Sequence, residues 1–223
     1  MSKIKIAFQG EKGAYSHIAC EEIYKGAEIK NCATFEETFK IAFDDESIKA
    51  IIPLENSLAG RVADIHHLLP KYKLQIYGEH FQKVEHCLLS KQEAEFKDIE
   101  YVRSHAQAIG QCQNVIKKNK FKPIISADTA GSAKDLAEGD DKSIAAIASE
   151  LAAKIYGLKI LEKNIEDEAS NVTRFLIMGR NIRQPKHEKN KKYITTCIFR
   201  LKSEPSALYK SLGGFATNQI NLT

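Results

Sequence analysis

The chain has 223 residues, of which 43% are apolar and 28% charged. These are the proportions of an ordinary soluble protein, so disorder and fibrous repeats are excluded, and the length suits one or two domains. The formal net charge is +4, from 33 basic and 29 acidic residues, yet residues 180–192 alone hold six basic residues against one glutamate. The rest of the chain is near neutral, so that stretch reads as a solvated basic linker and no nucleic-acid partner is expected.

The chain opens with MSKIKIAFQG and enters strand-like alternation at once, without a secretory apolar run, so a cytoplasmic location is expected. The most Ala- and Ile-rich stretch, 143–158, is interrupted by Glu150 and Lys154. It falls short of the roughly 18 apolar residues that suggest a membrane helix, and no membrane partner is expected. Five cysteines without a close pair fit neither a disulfide framework nor a zinc knuckle and read as reduced, mostly buried thiols.

In chain order, the pattern predicts strand 3–8, helix 15–24, strand 28–33 and helix 35–43, an α/β rhythm. Thr34 followed by Glu37 matches a capping box at the second helix. A strand at 50–54 runs into the polar turn ENSLAG and then a helix carrying Val62, Ile65 and Leu69 on one face. Residues 74–90 lack helix punctuation and read as extended crossing strands that could hinge two lobes.

A second set of alternations follows: strand 100–103, helix 107–118, strand 123–127, helix 130–137, strand 143–147 and helix 150–156, which Gly157 stops. Residues 173–179 form one more strand, whose natural partner is the first sheet. The architecture is therefore expected to be split and bilobal. Beyond the linker, residues 194–202 alternate as a strand, Leu208, Leu212 and Phe215 mark a helix, and a further strand should start near Ile220.

Several turns carry groups suited to a polar cleft. GEKGAYS at 10–16 lies between the first strand and helix, where backbone amides can face an anion or simply make a tight turn; it is neither GxGxxG nor a Walker motif. Four later turns place hydroxyl, amide or imidazole groups where strands give way to helices: Glu55, Asn56 and Ser57; Ser104, His105 and Gln107; Asp128, Thr129 and Ala130; and Ser149. Any one of them is most simply a helix N-cap, but together they suggest a cleft. In Asn171-Val172-Thr173-Arg174-Phe175, alternation sends Thr173 and Phe175 to one face and Arg174 to the other, and an Arg fork matches a carboxylate.

The cluster His66, His67, His80, His86, Glu79 and Glu85 fits no familiar metal-ligand spacing. There is no GxSxG elbow, and His105 beside Ser104 is sequence adjacency rather than a triad. Neither a metal nor an organic cofactor is expected.

GEKGAYS, PLENSLAG, SHAQAIGQC, ADTAGSA, AAIAS and NVTRF, in this order over residues 3–179, resemble the blocks of the prephenate dehydratase family. After the linker, TTCIFRLKSEPSALYKSLGGFATNQINLT resembles the start of that family's C-terminal ACT regulatory domain. It departs where Ser206 replaces the glycine of a Pro-Gly-Ala-Leu turn, and the Glu-Ser-Arg-Pro segment expected after INLT lies beyond Thr223. Both features belong to the family's phenylalanine-binding region.

The resemblance implies an α/β fold with two lobes like a type II periplasmic binding protein, followed by a partial α+β ACT domain of ferredoxin-like type. It implies a dehydratase domain at 1–180 (lobe one 1–79 and 165–180, lobe two 80–164), a linker at 181–192 and an ACT segment at 193–223. Hinges are then expected at 78–81 and at Asn164. The implied reaction is cofactor-free loss of carbon dioxide and water from prephenate, giving phenylpyruvate for phenylalanine synthesis. The alternatives are arogenate as substrate or a non-catalytic small-anion binding module.

By the same resemblance, Thr173, Arg174 and Phe175 are the catalytic block. Asn56, Ser57, Gln107, Thr129, Ala130, Ser149 and Asn171 shape the substrate site, and Glu55 or His105 is a proton source beside Thr173. L-Phenylalanine as effector and a homodimer or homotetramer are the implied partners.

Overall fold

The computed structural model describes residues 4–181 and 188–222, so Lys3 and residues 182–187 of the basic linker expected at 181–192 lie outside the described residues. The chain divides into a unit at 1–186 and a second unit from residue 187.

The first unit contains two sheets. Strands β1 (Lys5–Gln9), β2 (Glu28–Cys32), β3 (Ile48–Asn56), β5 (Gln75–Lys83) and β11 (Val172–Gly179) make one, in the order β2-β1-β3-β11-β5, with the short β4 (Gly60–Arg61) on β3. Strands β6 (Cys87–Ser90), β7 (Tyr101–His105), β8 (Lys122–Ser126), β9 (Ile144–Ala148) and β10 (Lys159–Lys163) make the other, in the order β10-β6-β9-β7-β8. Parallel pairs β1/β2, β1/β3, β7/β8 and β7/β9 require crossovers, which the helices α1 (Tyr15–Ile23), α2 (Phe35–Asp44), α4 (Ala106–Gln111), α5 (Gln113–Asn119) and α6 (Thr129–Glu138) help supply, while α7 (Glu150–Tyr156) leads from β9 to β10.

Local chemistry sets these elements. Thr34 Oγ1 accepts from Glu37 N at 3.1 Å, the first half of the expected capping box, while Glu37 Oε2 accepts from Ala33 N at 2.9 Å, one residue before the N-cap, rather than from Thr34 N. Gly157, at φ 66°, ends α7 in the left-handed conformation that glycine adopts without a Cβ penalty. Alternate residues of β3 and β11 feed two cores: Ile51, Phe175 and Ile177 pack with Phe8 and Ala19, while Ala50, Ile52, Leu176 and Met178 pack with Phe39. The first sheet is thus covered on both faces.

Four expectations are corrected. The hinge expected at 78–81 lies inside β5, which stays paired with β11 through Lys83; the chain passes between the sheets at 84–86 and returns through 164–171. The helix expected at 107–118 is two, α4 (Ala106–Gln111) and α5 (Gln113–Asn119), broken at Cys112. The helix expected after ENSLAG is a 3-10 turn, Ala63–Ile65, followed by α3 (Leu68–Tyr72). In the second unit, α8 (Ala207–Thr217) forms as predicted, but 194–202 and 220–222 are not strands, because the described residues of that unit offer no ladder partner for their N–H and C=O groups.

Candidate active site

Strands β1 and β3 of one sheet and β7, β8 and β9 of the other are each followed by turns that carry the polar groups singled out in the sequence, and ligands of α/β sheets gather at such carboxyl ends. The two lobes meet where the turn after β1 abuts the start of α7. Ser149 Oγ donates to Gly13 O at 2.5 Å and accepts from Ala152 N at 3.0 Å. Gly13 has φ +91°, and a Cβ there would stand 2.6 Å from Ala152 Cα, so only glycine permits this approach. Its N–H donates to His17 Nδ1 at 3.1 Å, and Lys134 reaches Glu11 at 3.6 Å across the same junction.

Thr173 sits at the centre of a directed set of hydrogen bonds. The register places Thr173 opposite Asn56 on β3 and Gln82 on β5. Asn56 Nδ2 donates to Thr173 Oγ1 at 3.0 Å, to Asn171 Oδ1 at 2.7 Å and to Val172 O at 3.3 Å. Asn56 Oδ1 accepts from the backbone of Leu58 at 3.0 Å and Ala59 at 2.9 Å. Thr173 therefore spends an acceptor site, and its hydroxyl proton has no acceptor among the described residues.

Arg174 takes the other face. It stands opposite Glu55, and its guanidinium donates to Glu55 Oε1 at 3.0 Å and, through Nε, to Glu79 Oε2 at 2.9 Å, with Phe81 at 5.9 Å. The β3/β11 bulge falls after Arg174, between it and Phe175, so it does not turn the fork toward Thr173. The carboxylates that Arg174 binds are internal, and Glu55, expected as a proton source beside Thr173, is held with Arg174 instead. Phe175 is 1% exposed on the opposite face, in the core with Ile51 and Ile177.

The remaining predicted residues divide by what their polar atoms do. Ser57 Oγ donates to Ser170 O at 3.0 Å and accepts from Val172 N at 2.9 Å, tying the end of β3 to the start of β11. Ser149 is likewise committed, to the lobe junction. His105 Nδ1 accepts from Gln107 N at 3.3 Å as the cap of α4. Thr129 opens α6 half-buried and Ala130 is buried behind it, while Gln107 is exposed. Ser104 is buried and donates to Ile147 O at 2.6 Å.

Sequence reasoning did not assign Gln111 or Tyr15. Gln111 Oε1 accepts from Asn171 Nδ2 at 2.9 Å and lies 3.0 Å from His86 Nε2, and His86 Nδ1 lies 2.9 Å from the Tyr15 hydroxyl. Both residues fall inside blocks quoted above, SHAQAIGQC and GEKGAYS, but nothing local marks a contact with residues 60 and 71 positions away. The His/Glu set weighed for metal is dispersed among separate partners: His80 to Glu22, Glu79 to Arg174 and Glu85 to Lys83. Among the described residues no group of three His, Cys, Asp or Glu could hold a metal ion, and no helix is long and apolar enough to cross a membrane.

Residues 6–183 match the family model described as prephenate dehydratase. The chain is 43% identical to a bifunctional N-acyl-homoserine lactone acylase/prephenate dehydratase of Komagataeibacter europaeus, covering 98% of this chain and 77% of that protein. It is 40% identical to the chloroplastic arogenate dehydratase/prephenate dehydratase 2 of Arabidopsis thaliana along its whole length, spanning 58% of that relative. Among solved structures, one described as GqqA, a novel type of quorum quenching acylase, superposes with a TM-score of 0.84 at 40% identity, covering 98% of this chain and 79% of that one. The fold is also that of a prephenate dehydratase from Arthrobacter aurescens in complex with L-Phe, with a TM-score of 0.85 at 24% identity over 99% of this chain and 74% of that one.

Proposed function

The chain belongs to the prephenate dehydratase family, and from that premise we propose that it converts prephenate to phenylpyruvate with Thr173 as the donor to the departing hydroxyl. The observation that carries the reading is the polarity at Thr173: its oxygen accepts from Asn56 and its proton is left for a ligand. In the proposed step the bond from the ring to its carboxylate breaks and carbon dioxide leaves. The electron pair moves through the ring, the carbon–oxygen bond to the ring hydroxyl breaks, and the oxygen departs as water with one added proton. Aromatisation drives the electrons, so no electron sink is required of the protein, whose work is positioning and proton donation.

A threonine hydroxyl is a weak acid. The Asn56 N–H on Thr173 Oγ1 offsets the negative charge that develops there as the proton leaves, and solvent restores it. In this reading Asn56 and Asn171 hold the donor, Gln107, Thr129 and Ala130 line the substrate side of the second lobe, and Ser57 and Ser149 fix the backbone around the site. Arg174 bridges Glu55 and Glu79 behind β11, and Phe175 supports the strand from beneath. His105 remains as a second proton source, from the cap of α4.

Phenylpyruvate formation from prephenate by purified protein, without added metal or cofactor, tests this, with arogenate assayed in parallel. Wild type should form product, and folded Thr173→Ala should lose about 10²-fold or more, the typical worth of a general acid. Faster turnover of arogenate would reassign the substrate while keeping the chemistry. Retention of more than about a tenth of the activity by Thr173→Ala would sink the donor role. The 43% identical relative is named for an acylase activity as well, so N-acyl-homoserine lactone cleavage belongs in the same assay as a second reading.

The reading extends to a dehydratase domain at 1–180, a linker at 181–192 and a partial ACT segment at 193–223. L-Phenylalanine as an effector, a homodimer or homotetramer and a cytoplasmic setting are parts of the same proposal. Equilibrium dialysis with L-phenylalanine and sedimentation of the purified chain would check the first two.

A further inference from the structure

The amide and imidazole groups behind Thr173 form a chain whose direction is fixed from one end. Leu58 N and Ala59 N can only donate, so the Asn56 atom they meet is oxygen. The other amide atom faces Val172 O, which can only accept, and is therefore nitrogen. Asn56 then donates to Asn171 Oδ1 at 2.7 Å, which leaves the Asn171 nitrogen to donate to Gln111 Oε1 at 2.9 Å. That same oxygen lies 3.0 Å from His86 Nε2, which must carry a proton. Reversing any one amide would set two donors or two acceptors against each other, and reversing all three together would do so at the Asn56 turn.

We infer that His86 is a positioning residue for Thr173, acting as the neutral Nε2–H tautomer through Gln111, Asn171 and Asn56. The inference rests on the proposed donor role of Thr173. With its proton on Nε2, the ring presents a lone pair at Nδ1 toward the Tyr15 hydroxyl at 2.9 Å, whose single proton also has Glu85 O within reach at 2.8 Å. The tautomer is therefore set from the Gln111 end, where an oxygen that already accepts from Asn171 requires the Nε2 proton. His86 and Asn171 are almost wholly buried and Asn56 and Gln111 half-buried, so an unmade bond at either buried residue would leave an orphan polar atom. Burial also lowers the basicity of His86, favouring the neutral ring that the geometry requires.

Long-range proton–nitrogen correlation on protein labelled in its histidine rings reads the tautomer at neutral pH. His86 should appear neutral with its proton on Nε2; a proton on Nδ1 alone, or an imidazolium, would overturn the assignment. In kinetics, His86→Leu should lower kcat by about tenfold or more with KM within about threefold, because a misaligned donor slows the step without weakening binding equally. His86→Gln, whose amide nitrogen can reach the place of Nε2 and donate to Gln111, should return kcat to within about threefold of wild type. Equal losses in folded Leu and Gln variants, or a loss below about twofold in the Leu variant, would reject the role. If His86→Leu does not fold, the tautomer and the Gln variant decide, a folded Gln variant down more than about tenfold counting against the inference. Thr173→Ala separates the premises: full turnover in that variant refutes the donor reading, whereas the tautomer does not depend on it.

Discussion

Asn56 meets Thr173 across the β3/β11 ladder as a donor to its hydroxyl oxygen at 3.0 Å, with its own carbonyl oxygen pinned by Leu58 N and Ala59 N. One side chain thus closes a turn and sets which way a hydroxyl proton points. The turn is local and the proton's direction is a long-range consequence, since the two residues are 117 positions apart.

Asn56→Asp tests that link with almost no change of shape. A carboxylate would place an acceptor against Asn171 Oδ1, Val172 O and Thr173 Oγ1, and the Thr173 proton would turn toward it. The expected outcome is a kcat lower by about 10²-fold, together with a stability loss of about 1–3 kcal/mol from the mismatched buried acceptors. Steady-state kinetics and urea unfolding measure the two effects; wild-type kcat in the Asp variant would contradict the proposed polarity.

Gly13→Ala probes the junction of the lobes. The new Cβ would stand 2.6 Å from Ala152 Cα and 2.8 Å from Ala152 Cβ, at a φ of +91° that L side chains disfavour. Overpacking of this kind costs about 1–3 kcal/mol, and here it also pushes on the Ser149-to-Gly13 bond that joins the lobes. Gly26→Ala is the control, because Gly26 has φ +76° but nothing within 4 Å of the added atom. Unfolding midpoints should fall further for Gly13→Ala than for Gly26→Ala, and only the former should lower activity.

Much of this architecture is readable without coordinates where the signal is local. The Thr34 and Glu37 cap, the Gly157 stop and the alternation across 172–179 each depend on neighbours within a few residues. The break between α4 and α5 does not. Ile109, Cys112, Val115 and Ile116 keep a helical apolar stripe across it, while the freed N–H groups of Gln113 and Asn114 are taken by the Asp167 carboxylate at 2.8 and 3.0 Å. Asp167 arrives from the return crossing between the sheets, more than fifty residues on. The same holds for His86, which reads locally as one of several scattered histidines and finds Tyr15 and Gln111 only through the fold. The alternation at 194–202 is also legible, but a strand needs a neighbour, and the described part of that unit has none.

The thiols should differ sharply in reactivity. Cys20, Cys32, Cys87 and Cys112 are buried, and burial pushes Cys20 up to about 12 and Cys87 to about 11, so little thiolate exists near neutral pH. Cys197 is exposed. Titration of native protein with a chromogenic disulfide at pH 8 should show one fast thiol, with the other four reacting only after denaturant is added. Loss of the fast phase in Cys197→Ser would identify it.

The dependence of stability on pH follows from two histidines, the half-buried His17 and the buried His86. Burial lowers His17, with Lys12 acting the same way and Glu21, 3.6 Å from Nε2, opposing; burial also lowers His86, opposed by Gln111 and Glu166. His17 Nδ1 accepts from Gly13 N, so protonation breaks that bond, whereas the Tyr15 hydroxyl can accept from a protonated His86 while donating to Glu85 O, so the loss at His86 comes from charging a buried ring. A base whose folded pKa lies below its unfolded value, about 6.5 for histidine, favours the native state in full only above that value. The unfolded chain takes up protons first as pH falls, and the stabilisation is lost through and below 6.5. The exposed carboxylates lowered by their partners, Glu36, Asp45, Glu46 and Asp141, act only below the ordinary carboxylate range of about 4, so pH 5–7 isolates the histidines. The melting temperature should be flat between about pH 7 and 8, fall from there toward pH 5, and fall again above about pH 8.5, where unfolding frees the buried thiols to ionise. In His17→Asn, which can still accept from Gly13 N without titrating, the fall should be shallower; an unchanged slope would assign the loss to other groups.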